Sequence, residues 1–215
     1  MEAERKVRRD AVGVGLATGA YGISFGAVAS AAGLSVPQAA ALSLLMFTGG
    51  SQFAFVGVAS SPLSGAMTAI LLGTRNALYG LRLSALLDVH GARRVAAAQL
   101  TIDESSAMAI GNEERADLSR LAFWWTGLSV FVCWNVATVL GVLGAEALSD
   151  PAVLGLDAAG PAAFIALLAP RLRNRELWAV ALVSAVVAVA VTPIVPAGVP
   201  VLCAAVVVVV LGFRR

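Results

Sequence analysis

From Ala11 to Thr74 the chain contains no Asp, Glu, Lys or Arg, and the run ends at Arg75. A soluble fold has no need of so long an uncharged stretch, whereas a helix that crosses a bilayer needs about 20 apolar residues. Midway stands Phe47-Thr48-Gly49-Gly50-Ser51-Gln52-Phe53, a polar, glycine-rich break in apolar sequence. Irregular backbone at membrane depth is tolerated only where it is buried in protein or lines a cavity. Membrane proteins that pass polar solutes build their sites from such broken helices. The pattern implies a membrane protein with a polar pathway.

Composition agrees. The chain is 59% hydrophobic and 13% charged, against roughly 25% charged for a soluble domain. A net charge of +2 gives no reason to expect nucleic acid. Cys133 and Cys203 lie inside apolar runs and read as small core residues, without disulfide or metal spacing. No cofactor is expected. The apolar region behind the basic start has no clear cleavage site and runs beyond signal-peptide length, so it is expected to stay in the mature protein. The expected architecture is an all-α membrane bundle of six to seven apolar segments, some broken or re-entrant. Residues 1–10 would form a cytoplasmic arm and 11–215 a single transmembrane domain. A polar cytoplasmic segment is expected at about 88–120.

Along the chain, the segment of about Ala11 to Ala32 contains Gly15, Gly19, Gly22 and Gly26. This spacing gives a flat helix face for close packing, with Tyr21 and Ser24 on or beside it. The segment of about Gln38 to Ala59 should break at Gly49-Gly50, with Ser51 capping a new half-helix and Gln52 in its first turn. This segment is the preferred re-entrant one, since basic flanks suggest cytoplasmic termini and hence an even number of crossings. A third segment, Pro62 to Leu87, carries Arg75 and Asn76 near its middle. A charge at that depth needs a partner or a wet cavity; bonding to carbonyls of a broken helix is the plainer alternative.

His90, the lone histidine, sits in a polar turn. Thr101 and Glu104 have capping-box spacing, with Asp103 and Glu104 as alternative groups for handling a proton or cation. Glu113, Glu114, Arg115, Asp117 and Arg120 read as a solvated face. In the segment from Leu121 to Gly144, Trp124 and Trp125 read as interfacial anchors. Asn135 and Thr138 read as hydrogen-bonding glue to a neighbouring helix. Asp157 precedes the Gly160-Pro161 break, and an acid beside a discontinuity in a membrane helix is a functional candidate. Two uncharged helices, about Leu177 to Val195 and Gly198 to Phe213, read as lipid-facing scaffold or subunit contact.

These residues taken in order resemble the AzlC family, the large subunit of bacterial branched-chain amino-acid exporters. The resemblance rests on Gly22-Ile23-Ser24-Phe25-Gly26, the Phe47–Phe53 break, Arg75 with Leu78-Tyr79-Gly80, and Thr101-Ile102-Asp103-Glu104-Ser105. It continues in Trp134-Asn135 with Thr138, and in Gly155-Leu156-Asp157 leading to Pro161-Ala162-Ala163-Phe164. The family pattern often has Asn two residues before the arginine, where this chain has Gly73. The resemblance implies a multi-pass protein of the bacterial inner membrane that exports leucine, isoleucine, valine and also methionine. It further implies a small hydrophobic AzlD-type partner subunit and drive by the proton motive force.

For a zwitterionic substrate with an apolar tail, the half-helix at Ser51-Gln52 and Arg75 would meet the carboxylate. Asp157, or in second place Asp103, would meet the ammonium group or carry the coupling proton. Phe25, Phe47 and Phe53 would line the side-chain pocket. Two other classes compete. An intramembrane enzyme is disfavoured, because no His-Glu-x-x-His motif occurs and the one histidine lies in a loop. A structural subunit is disfavoured by the polar residues within apolar segments.

Overall fold

The computed structural model describes residues 1–57, 62–147, 172–195 and 199–212, with 165, 168 and 169 besides. Asp157, the Gly160-Pro161 break and Asp150 lie outside the described residues. Among the described residues the chain is all-helical: α1 (Glu2–Ala31), α2 (Val36–Leu45), α3 (Gly50–Val56), α4 (Pro62–Leu87), α5 (Ala92–Gln99), α6 (Asp103–Ile110), α7 (Ala116–Glu146), α8 (Arg175–Val191) and α9 (Val199–Gly212). The basic arm is not separate; it forms the first turns of α1, where Lys6 pairs with Asp10 at 2.6 Å.

The frame is the α1–α7 pair. Gly15 of α1 faces Ser129 of α7, Gly19 faces Cys133, Gly22 faces the Trp134 carbonyl and Ala137, and Gly26 faces Thr138, Gly141 and Val142. Each of these glycines is so close that an added Cβ would overlap its neighbour. Numbers rise together along both helices, so α1 and α7 run parallel. Small residues let the two backbones meet directly, which is how helices associate where lipid removes the hydrophobic drive.

Parallel neighbours oblige the intervening chain to return, and α4 does so. Its last turns lie beside the start of α7: Arg82 pairs with Glu113 at 2.6 Å, and Arg120 Nε donates to the Leu86 carbonyl at 3.1 Å. Arg8 lies over the Trp125 ring, 5.5 Å from its centroid, so the basic start of α1 is at this end too.

Between α1 and α4 the chain forms a helical hairpin. α2 descends to half-depth: Ser43 meets Thr138 and Phe47 packs edge-on against Phe131. After the turn at 46–49, α3 climbs back, and Phe53 packs against Phe25 and Trp134. The expected break is present, but Gly49 is the cap of α3, at φ +56°, and Ser51 lies inside the first turn. That backbone angle favours glycine, since other side chains rarely adopt it. The carbonyls freed at the turn find side-chain donors. Gln99 Nε2 donates to Leu44 O (2.7 Å), Gln52 Nε2 to Leu42 O (3.4 Å) and Arg75 Nη2 to Thr48 O (3.4 Å). Thus side chains from neighbouring elements supply donors to the backbone of the broken helix.

The interhelical glue is Thr138, not Asn135. Thr138 Oγ1 donates to the Trp134 carbonyl of its own helix (2.8 Å), which leaves it to accept from Ser43 Oγ at 3.3 Å. Asn135 Nδ2 donates to Phe131 O of its own helix. Thr138→Val keeps the shape but leaves a fully buried Ser43 hydroxyl without its acceptor. A loss of about 1 kcal/mol is expected, read as a fall in the unfolding midpoint in detergent.

The polar segment 88–120 holds two short helices. The Thr101–Glu104 capping box does not form: Ile102 is the cap of α6, and Ser105 Oγ accepts from the Ile102 N–H at 3.1 Å. Thr101 Oγ1 donates instead to the Ala97 carbonyl. Half of a box forms one residue further along: Ser105 returns to the cap N–H, but Ile102 has no side-chain acceptor, and the Thr101 hydroxyl is spent on the last turn of α5.

By length and composition two described helices, α1 and α7, qualify as membrane spans. The described residues therefore do not establish the expected six to seven crossings. α8 and α9 pack on each other, and no described residue of either is buried. Their apolar surface includes Trp178, Leu182, Val186, Val206 and Val209.

Candidate functional site

Half-way along α7, the hairpin turn, α1, α4 and the start of α6 line a partly open cavity of about 60 Å³. Its walls are Thr18 and Tyr21 from α1, Phe47 to Gly50 and Phe53 from the hairpin, and Arg75 from α4. Ile102, Asp103 and Glu104 come from the start of α6, and Val130 and Trp134 from α7. This volume has room for a few waters, well under the ~150 Å³ that admits a benzene ring. A whole amino acid enters only if the walls part.

Arg75 reaches the cavity because α4 carries it to the level of the hairpin turn. Its Nη1 stands 3.3 Å from Asp103 Oδ2, with side-chain exposures of 31% and 24%. A tight guanidinium–carboxylate pair is bidentate at about 2.7–2.9 Å, so this pair is loose and reachable. Asp103 is held in place by its helix start. Ser105 Oγ donates to Leu100 O (2.6 Å), and Ser119 Oγ of α7 donates to Ala109 O (2.8 Å), tying α6 to the frame.

The opposite wall is aromatic. Trp134 stacks on Phe25 at 6.2 Å between centroids and meets Phe53 edge-on at 6.3 Å. Phe25 is fully buried behind this wall, whereas Phe47 and Phe53 face the cavity. Thr48 Oγ1, Arg75 Nε and Trp134 Nε1, on residues that line the cavity, are buried without a hydrogen-bond partner among the described residues. Buried polar atoms are normally paired, so these are groups a polar ligand can use. The site thus offers a cation, two carboxylates, orphaned polar atoms and an apolar face within one small space.

Of the residues singled out from sequence, Tyr21, Arg75, Asp103 and Glu104 meet in this cavity. Ser51 and Gln52 are buried just behind Gly50 and do not line it, and neither do Ser24 or Asn76. A Cβ built on Gly73 would lie 3.6 Å from Ser51 Oγ. Sequence reasoning quoted Thr48, Ile102 and Trp134 within motifs without assigning them to the site, and it assigned neither Thr18 nor Val130. Thr18 was visible as the residue one turn before Tyr21 on the same face, and Thr48 as part of the break. Val130 gave no signal beyond being apolar.

Neither the curated proteins nor the solved structures compared include a match to this chain. The family model described as AzlC protein matches residues 13–148, which span the whole cavity. That match covers more than half of the 215 residues, so the chain belongs to the AzlC family of transport-associated membrane proteins.

Proposed function

We propose that this chain exports branched-chain amino acids (leucine, isoleucine, valine and methionine) across the bacterial inner membrane as a multi-pass large subunit. The observation that carries the reading is the Arg75–Asp103 pair on the wall of a cavity whose other face is aromatic. An amino acid presents a carboxylate, an ammonium group and, in this class, an aliphatic tail. Arg75 binds the carboxylate, Asp103 the ammonium, and Phe47, Phe53 and Trp134 the tail. Asp157, the acid favoured from sequence for the ammonium, lies outside the described residues; Asp103 is the acid that stands against Arg75.

The cavity is smaller than the substrate, so binding widens it by parting its walls, the hairpin, α4 and α6. That hairpin turns back at half-depth, and α4 supplies the return crossing. The exposed apolar surfaces of α8 and α9 suit contact with lipid and with a small hydrophobic AzlD-type subunit.

The test is efflux of labelled leucine from cells preloaded with a leucine dipeptide, with and without this chain and its small partner. Efflux is expected only with both chains present, and it should collapse on addition of an uncoupler. Unchanged efflux in cells that express both chains well rules out leucine as the solute.

A further inference from the structure

We propose that the basic end of the bundle holds one anionic phospholipid, in a groove that lies apart from the central cavity and does not depend on which solute is carried. The chain leaves α4 by a sharp turn at Asp88, whose φ is +48°, a value that Asp adopts more readily than most side chains. Beyond that turn α5 lies beside the first turns of α7, and a groove of about 480 Å³ opens between them. Its walls include Leu87, Asp88 and Val89 from the turn, Arg93 from α5, and Arg120 and Trp124 from α7. Sites for small ligands span roughly 300–1,000 Å³, so a headgroup fits without any movement of the walls.

Most of the charge at this end is spent. Arg82 pairs with Glu113 at 2.6 Å and Arg115 with Asp117 at 2.9 Å. The two arginines of the groove are not spent in this way. Arg93 makes no ion pair among the described residues. It also stands in the first turn of α5, where the helix dipole disfavours a cation. Arg120 is anchored through Nε on the Leu86 carbonyl at 3.1 Å, while its Nη2 stays 3.9 Å from Asp88 Oδ2. A tight guanidinium–carboxylate contact is about 2.7–2.9 Å, so Arg120 is fixed in position with its charge unmatched. Two guanidiniums against one carboxylate leave the groove with a net charge of +1. One phosphodiester balances it, and guanidinium forks bind phosphate oxygens through paired N–H donors. A zwitterionic headgroup brings a second cation and leaves the imbalance in place.

The remaining walls suit a lipid and not a free anion. Leu87, Val89 and the Trp124 ring are apolar, and Trp124 is seated edge-on against Phe123 at 5.4 Å. Tryptophans of membrane helices gather at headgroup level. The next residue, Trp125, carries Arg8 over its ring, so the basic start of α1 stands at the same level. A phosphate held between Arg93 and Arg120 is therefore at headgroup depth, and its acyl chains pass Leu128, exposed one turn further along α7. Basic pockets between helices at the membrane surface hold anionic headgroups in this manner.

The test is native mass spectrometry of the full-length chain in detergent, titrated with phosphatidylglycerol, phosphatidylethanolamine or phosphatidylcholine of identical acyl chains. A basic residue beside an anionic headgroup is worth about fivefold, so the first phosphatidylglycerol is expected to bind about 25-fold more tightly than either zwitterionic lipid. Arg93→Gln, which breaks no ion pair, should lose about fivefold of that preference, and Arg93→Gln with Arg120→Gln nearly all of it. Arg115→Gln removes the same charge from the same end but outside the groove, and it should change the preference by less than about twofold. Equal binding of the three lipids by the wild type overturns the proposal, and so does a loss in Arg115→Gln as large as that in Arg93→Gln. Displacement of phosphatidylglycerol by millimolar inorganic phosphate also overturns it, since the groove would then be a site for a free anion.

Discussion

Arg75→Ala is expected to cut leucine export about 100-fold while the chain still inserts and extracts as a folded protein. The expected loss follows from the guanidinium's place in the cavity. A hydrogen bond to a charged group is worth about 1.5–3 kcal/mol, and Arg75 offers a carboxylate two parallel ones. Folding is expected to survive because the bonds Arg75 makes within the protein are long. The pair with Asp103 spans 3.3 Å and the bond to the Thr48 carbonyl 3.4 Å. Asp103 keeps partial access to water once its partner is gone, so no fully buried charge is stranded. Arg75→Lys separates charge from shape. It keeps the cation but not the planar fork, and it should retain export between the two extremes. Export rates normalised to membrane-inserted protein decide the matter, and wild-type rates in Arg75→Ala would remove Arg75 from the substrate's path.

Much of the frame was legible because membrane helices write their constraints plainly. The absence of charge up to Thr74, with Pro62 at one end and polar residues after Leu87, gave α4 its bounds. Gly49-Gly50 gave the break, since two adjacent glycines are poor helix formers. The four glycines of α1 gave the packing face, though not its partner. Two kinds of information were missing from the string. One was register at helix ends: Ser51 and Thr101 have good capping chemistry, but Gly49 alone tolerates φ +56°, and Thr101 remains bound to Ala97. The other was pairing at a distance. Asp103 and Asp157 were both acids near discontinuities, and nothing local says that Asp103 meets Arg75. That depends on α5 folding back so that α6 starts beside the hairpin. The glutamine that helps seat this fold, Gln99 on the Leu44 carbonyl, reads in sequence as one more polar residue of a surface helix.

Gly26→Val is expected to abolish the folded state, because the two main helices touch there backbone to backbone. A Cβ at Gly26 would meet the Thr138 carbonyl oxygen, the Val142 nitrogen and the Gly141 Cα of α7. None of these can rotate away as a side-chain tip can. The contact is reciprocal: a Cβ at Gly141 would strike the Ile23 backbone of α1. No substitution on either helix can make room, so relief requires the axes to separate. Overpacking of this kind costs about 1–3 kcal/mol, occasionally more, and here the damage spreads. Phe25, next to Gly26, stacks on Trp134 and meets Phe53, so parting α1 from α7 opens the aromatic wall of the cavity as well. Gly13→Ala supplies the control on the same helix. Gly13 has nothing within 4 Å of its added Cβ, and alanine improves helix propensity by up to about 1 kcal/mol. Detergent extracts run by size exclusion should show a monodisperse peak for Gly13→Ala and aggregate or no protein for Gly26→Val. A monodisperse Gly26→Val with a wild-type unfolding midpoint would mean that α1 and α7 are not packed through their glycines. Because the cavity is built across this seam, its walls cannot then lie where Arg75 and Trp134 share one space.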